Sequence, residues 1–516
     1  MDSALRWKPH IDEIRRKVTK TISALCSLGG STWGLTFQDM RKIYKGVVVP
    51  QIMYACSAWS NANWRTRNMP YTNKTLVNLQ SLQARAARLI SGAFKATSTP
   101  GLDIETYLLP IEHQIWKHNI ECLGRIGLRE QDLREQESQH GADGQRIRKT
   151  RMSPRKAIQK AIQDEQGFNV KGLEVITPHV VPPWWTSPKT FIEESAEKAQ
   201  KRHQYSIDNE SNAIHIYTDG SGINGHVGAA AVCTTTNQTK SAYMGDDAAS
   251  TVYAGELQGI SLAFQIAQED RNRGNIRNKV LIYTDNQAAV RSVARPRGKS
   301  GSYLLQDITR RTQELREQGL TVEIRWIPAH TGIYGNEAAD QAAKEATGWR
   351  MKGPPGPKAQ RPRVVHSLRS ALKLWTSGVV NKRWQAQWQQ ETRGRTTFRH
   401  TPEPTPRVLQ PHKNLSKRQS AIYVQLRTEK IGMNDFLFKR RVPEIKDPRC
   451  DCGEGRQTVA HILLQCRRRT ALRNQELGQF PGRQNLRVLL SERKVAAKVV
   501  KFMEQTQILG QFRTDS

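Results

Sequence analysis

Apolar residues in the first 130 positions recur at three- and four-residue spacing, in IYKGVVVPQIMY and in TLVNLQSLQARAARLISGAF, and that period predicts helices. A polar, charge-rich stretch over 128–160 ends the pattern. PHVVPPWWTSP follows, where consecutive prolines deny helix and suit an extended linker. From position 213 the grammar changes. AIHIYTDGSG, HVGAAAVCT and KSAYMG predict three short strands in hairpin succession, followed by a long helix across STVYAGELQGISLAFQIAQ. A second cycle places strands on KVLIYTDNQ and LTVEIRWIPA, helices on NQAAVRSVA and GSYLLQDITRRTQELREQG between them, and a closing helix through NEAADQAAKEA. Three antiparallel strands plus two crossover strands make a mixed α/β sheet of five strands. MKGPPGPKAQRPR predicts a basic flexible linker, and the tail mixes helices with a Cys/His cluster. The expected divisions are therefore 1–125, 126–207, 208–348, 349–365 and 366–516.

Charge adds a partner to this outline. The 516 residues carry 80 Lys and Arg against 47 Asp and Glu, a formal +33, which points to a polyanion, nucleic acid first. That charge is uneven. Residues 208–348 hold 14 basic and 16 acidic residues, so the whole excess lies in the flanks, where phosphate-backbone affinity is expected. The start, MDSALRWKPH, has no apolar leader segment, and GVVVPQIMYACSAW is too short and too broken to span a bilayer. An intracellular setting, the nucleus included, is the expectation. Cys26, Cys56, Cys122 and Cys233 are scattered among apolar residues, whereas Cys450, Cys452 and Cys466 gather around a histidine, which suggests metal rather than disulfides.

Four carboxylates stand at element ends in this outline. Asp219 and Asp285 close two strands, Glu256 lies about one turn into the first long helix, and Asp340 opens the last one. Taken singly, each is as well explained as a cap or turn residue. Brought to one sheet edge they would repel, since a like pair at about 4 Å costs roughly 4 kcal/mol at an effective dielectric near 20. Hard divalent ions resolve that conflict. Two Mg²⁺ or Mn²⁺ ions about 4 Å apart can activate water and stabilise the leaving oxygen of a phosphodiester. YTDGS at Asp219, AGEL at Glu256, YTDNQ at Asp285 and WIPAHTGIYGNEAAD with His330 and Asp340 resemble, in order and approximate spacing, the type 1 ribonuclease H family. The resemblance covers some 140 residues. It implies a ribonuclease H-like fold, Mg²⁺ or Mn²⁺ on Asp219, Glu256, Asp285 and Asp340, a proton-shuttling His330, and cleavage of the RNA strand of an RNA–DNA hybrid. Gly220, Ser221 and Asn286 are candidate substrate contacts, including contacts to 2′-hydroxyls, with turn chemistry an equal explanation. MGDDAAS predicts a surface turn.

The flanks carry weaker signals. LRWKPHIDEIRRKVTKTISALCSLGGSTWG, the LVNLQSLQARAARLISGAFKATST run and ETYLLPI resemble the thumb and connection region of non-LTR, LINE-like retrotransposon reverse transcriptases, especially fungal ones. This implies a piece of a retroelement polyprotein without the polymerase carboxylates, and so no primer extension from this chain alone. An unrelated basic helical domain is the alternative. Near the C-terminus, Cys450, Cys452, His461 and Cys466 form a CCHC set suited to one Zn²⁺, although C-x-C is tighter than the usual C-x₂-C. A helical turn without metal is the competing explanation. Arg440, Arg441 and Arg467 to Arg469 bracket the set and can meet phosphate, face solvent or direct nuclear import. The combined expectation is a metal-dependent ribonuclease H with basic, nucleic-acid-binding flanks. Its rival is a catalytically inactive nucleic-acid-binding remnant, favoured if the carboxylates fail to converge.

Overall fold

The computed structural model describes residues 7–60, 73–126, 154–165, 168, 172–176, 179–348 and 366–512. The polar stretch over 128–153 and the basic linker over 349–365 lie outside them. The chain divides into two compact units, Ile120–Ser377 and a discontinuous one made of Met1–Asn119 with Gly378–Ser516. No described helix is long and apolar enough to cross a membrane.

The unit Ile120–Ser377 is built on a mixed sheet. Its strands are β1 (Lys189–Phe191), β2 (Ala213–Ile223), β3 (His226–Cys233), β4 (Gln238–Asp246), β5 (Lys279–Thr284) and β6 (Thr321–Trp326), in the order β1-β6-β5-β2-β3-β4. β2, β3 and β4 pair antiparallel, while β5 lies parallel to β2 and β6 parallel to β5. Helices α1 (Ala196–Asn209), α2 (Val252–Asn272), α3 (Gln287–Ala294), α4 (Ser302–Glu317) and α5 (Tyr334–Ala346) accompany it. The central strand β5 is buried from Val280 to Thr284, as expected of a parallel strand covered on both faces.

Two details depart from the expected outline. The sheet has six strands, not five, because β1 comes from the stretch expected to be linker and pairs parallel with β6. Three residues at a half-exposed edge are too few to show a period of two. The same stretch supplies α1, capped by Ser195, whose side chain accepts from Lys198 N–H. Second, two of the acids are not at the element ends expected of them: β2 runs on to Ile223 in pairing with β3, so Asp219 lies inside the strand, and Asp340 does not open the last helix. α5 starts at Tyr334 because Asn336 and Glu337 N–H groups already bond the Ile333 carbonyl, so Asp340 sits in its middle. The glycine-rich sequence before it masks that early start.

The discontinuous unit corrects the expectation of separate N- and C-terminal modules. Its N-terminal part contributes the helices Lys8–Cys26, Phe37–Ile43, Asn73–Ser91 and Thr99–Thr106, and its C-terminal part Lys417–Thr428 and Arg493–Thr506. Val424 packs in one apolar core with Ile22, Phe37, Tyr44 and Ile90. Polar bonds cross the same seam. Lys417 Nζ donates to the Leu89 and Ile90 carbonyls at 2.6 and 2.7 Å, satisfying the C-terminal end of Asn73–Ser91 as a cation there should. Gln425 donates to the Gly92 carbonyl, and the buried Arg427 meets the fully buried Glu105 at 2.8 Å. In IYKGVVVPQIMY the backbone widens into a π-turn at Tyr44–Val48, and Pro50 then falls in the first turn of Val49–Met53, where its missing N–H costs little.

Candidate functional site

Register brings the first two acids together. Parallel pairing matches Thr218 of β2 with Thr284 of β5, so the next residues, Asp219 and Asp285, emerge side by side. Glu256 arrives from α2, whose first turn is fixed by Thr251 accepting from Ala254 N–H. Gly220 is what lets α2 come so close. A Cβ there would stand 2.3 Å from the Glu256 backbone nitrogen. Gly335 does the same for α5, since a Cβ would sink into the Tyr217 ring at 2.2 Å. Side-chain oxygens of Asp219, Glu256 and Asp285 fall within 4.8 Å of one another. Asp340 stands outside this tight trio, yet its charge acts on both Asp219 and Asp285. It groups by distance with His330 and Glu337.

The electrostatics match the crowding. Burial, then the Asp285 and Asp340 charges, push Asp219 up to about 7. Burial, then Asp219 and Asp285, push Glu256 up to about 9. Asp285 is also raised, chiefly by burial, with relief from an Asn336 hydrogen bond and from His330. Glu256 is 4 % exposed, and its Oε2 has no hydrogen-bond partner among the described residues. A buried carboxylate oxygen left bare beside two other acids fits a hard cation, which offers the missing positive charge without a proton.

The remaining expected residues surround this cluster. His330 is exposed, in the left-handed region at φ +54°, on the loop between β6 and α5, close enough for its charge to ease Asp285. Asn286 has two structural tasks. Its side chain caps α3 by accepting from Ala289 N–H at 3.0 Å, and it also bonds Glu256. Gly220 is a packing residue by the contact above, and Ser221 is buried beside it in β2. Two residues emerge that the motifs did not single out. Asn336 is buried, bonds Asp285 and leaves its own Oδ1 unpartnered among the described residues. Lys344 pairs with Asp340 at 2.5 Å. Both lie four positions from Asp340 on the same helix, which puts all three on one face of it. MGDDAAS closes β4 in a turn, where Asp246 accepts from Ala249 N–H.

The Cys/His set lies in the other unit. Arg449 and Arg456 form an antiparallel bridge, and the turn between them presents Cys450 and Cys452. A π-turn over His461–Gln465, closed by Cys466 N–H on the His461 carbonyl, presents the other two. All four side chains are buried and their ligand atoms lie within 4.8 Å of one another. The Cys450 and Cys466 sulfurs are 3.8 Å apart, and Cys452 Sγ is 3.2 Å from His461 Nε2. Tetrahedral bonds of about 2.3 Å to sulfur and about 2.0 Å to nitrogen separate the ligands by nearly these distances. The tight C-x-C is therefore no obstacle. The neighbouring arginines are partly committed, Arg468 and Arg469 to Asp451 and Arg467 to Glu454.

Residues 211–348 match the profile of the RNase H family. A Pol polyprotein of equine infectious anemia virus (strain Wyoming) is 31% identical over 143 residues, which cover 27% of this chain and 11% of that polyprotein. The Pol polyprotein of isolate 1369 of the same virus is 30% identical over the same shares. The chain thus spans about a tenth of the length of these relatives. Among solved structures, RNase H1 from the archaeon Halobacterium salinarum NRC-1 aligns with 26% of this chain and 96% of its own at 18% identity, with a TM-score of 0.21. LC11-RNase H1, in complex with an RNA/DNA hybrid, aligns with 26% and 97% at 21% identity and a TM-score of 0.22.

Proposed function

We propose that this chain hydrolyses the RNA strand of RNA–DNA hybrids. The observation that carries the reading is the convergence of Asp219, Glu256 and Asp285 from three separate elements, with one buried Glu256 oxygen bare, inside the segment that matches the RNase H family. Asp219, Glu256, Asp285 and Asp340 are the residues that would hold two Mg²⁺ or Mn²⁺ ions. Bound there, the ions supply a nucleophilic water and neutralise charge on the scissile phosphate. The chain's own residues do the rest. Asn286 and Asn336 orient the Glu256 and Asp285 carboxylates, and the exposed His330 stands beside Asp285, free to carry a proton to or from solvent. Gly220 holds α2 against β2 so that Glu256 reaches the site, and Ser221 stands next to it as a contact to the hybrid. Convergence of the acids weighs against the inactive-remnant alternative.

The basic flanks, on this reading, hold nucleic acid, and Cys450, Cys452, His461 and Cys466 hold one structural Zn²⁺. The viral Pol relatives favour a polyprotein-like context, and the resemblance of the N-terminal helices is what favours a LINE-like, fungal retroelement. The decisive assay is cleavage of a labelled RNA–DNA hybrid with Mg²⁺ or Mn²⁺. Asp285→Asn should reduce it by two or more orders of magnitude with the fold kept, by the loss of a metal ligand. Equal rates in a folded Asp285→Asn protein would sink the assignment.

A further inference from the structure

The four acids of the site are not equivalent. Three crowd within 4.8 Å, whereas Asp340 stands apart and already holds a cation of the protein's own. Lys344, one turn further along α5, places Nζ 2.5 Å from Asp340 Oδ2, with the lysine side chain 32% exposed and the aspartate 19%. The same ammonium is attracted by Asp219 and Glu337. From the β6–α5 loop His330 faces the same carboxylate.

An ammonium and a hard divalent ion want the same thing, an anionic oxygen. A divalent ion taken up on Asp340 must share or displace Lys344, and a flexible four-carbon stem permits displacement. We propose that Lys344 is an internal counter-ion that competes with the divalent ion for Asp340 and sets the ion concentration at which that part of the site fills. The inference rests on the hydrolase reading above and deepens it. Lys344 acts through Asp340, so it is a positioning residue, and its effect belongs in metal affinity before it appears in turnover.

The test is calorimetric titration of the full chain, kept zinc-loaded but freed of Mg²⁺ and Mn²⁺, with Mn²⁺ alone and without nucleic acid. Lys344→Met should bind the weaker ion about ten-fold more tightly, as loss of one close like charge predicts. Lys344→Arg keeps the charge and should stay within about two-fold of the parent. With Asp340→Asn already present, Lys344→Met should add nothing, because the contested ligand is gone. An unchanged isotherm in Lys344→Met, an equal gain in Lys344→Arg, or a gain that survives Asp340→Asn would each overturn the proposal. Failure of the parent chain to take up any ion would instead overturn the hydrolase reading itself.

Discussion

The carboxylate cluster and the Cys/His cluster solve opposite problems. The carboxylates come from residues 219, 256, 285 and 340, carried by two strands and two helices, and a rigid sheet forces like charges together. Cys450, Cys452, His461 and Cys466 come from one run of 17 residues, and two local turns suffice to aim them. The first site is held by its scaffold and stressed by its own charge. On the proposed reading the second is a closed set of four protein ligands whose metal would organise the chain around it, as in structural rather than catalytic metal sites. Breaking each should therefore have opposite consequences for stability.

The largest effect is expected at the second site. Cys452→Ser with Cys466→Ser should release one zinc per chain and unfold its surroundings, since structural zinc contributes on the order of 10 kcal/mol. Cys450, Cys452 and Cys466 belong to one core with Val499 and Phe502, so Arg493–Thr506 should loosen with them. Hydrogen exchange should rise there and not in β2 or β5. A uniform rise across both units would contradict the division. Next in size is Glu105→Gln. It strands the buried Arg427 charge, and breaking such a pair from one side costs about 3–5 kcal/mol. Denaturant unfolding of the discontinuous unit should show it, and a cost below about 1 kcal/mol would mean that water reaches the pair.

How far the sequence foretold these sites follows the same contrast. Asp219 and Asp285 were legible because the apolar runs of IYTDGS and IYTDN mark strands by their period, although only Asp285 follows a strand end and β2 continues past Asp219 to Ile223. The Cys/His set was legible because its ligands are close in sequence. What escaped were relations between distant segments. β1 is three residues on a sheet edge and has no period to read. Nothing in Lys417–Thr428 announces that Lys417, Gln425 and Arg427 will be buried against residues some 320 to 330 positions earlier. Lys344 escaped because an i, i+4 acid–base pair usually means a solvated helix face.

The carboxylate site should gain stability when it is broken. Asp219→Asn should abolish hybrid cleavage and stabilise the protein freed of Mg²⁺ and Mn²⁺ at pH 8 by on the order of 1–3 kcal/mol, because it removes a like charge from the cluster. The sign follows from the shift. Asp219 is raised to about 7, so the folded state keeps a proton that the unfolded chain has lost. The stability this gives is fully present below the ordinary aspartate value near 4 and is lost as pH rises through 7. The benefit of Asp219→Asn should accordingly shrink between pH 8 and pH 5 when no Mg²⁺ or Mn²⁺ is added. A benefit independent of pH would show that the gain is not electrostatic.

The smallest effect runs the other way in pH and lies in the discontinuous unit. His412 is 1% exposed, stacked on Phe37 at 3.9 Å between ring centroids, and neither ring nitrogen has a partner among the described residues. Burial, then the charges of Arg427 and Lys417, press its pKa down to about 3. Below the ordinary histidine value near 6.5 the unfolded chain takes up a proton that the folded chain refuses, so stability is lost as pH falls from there toward 3. His412→Phe keeps an aromatic ring in the stack and removes the titration. His400, likewise pressed down to about 3, is present in both proteins and cancels in the difference. The two proteins should differ little at pH 7, and below pH 6.5 the phenylalanine protein should gain on the parent by about 1.4 kcal/mol per pH unit. Matched denaturation curves at pH 7, 6 and 5 read this directly. Parallel losses in the two proteins over that range would mean that a proton or a water reaches the His412 ring, and the seam around Arg427 would then be wetter than its geometry indicates.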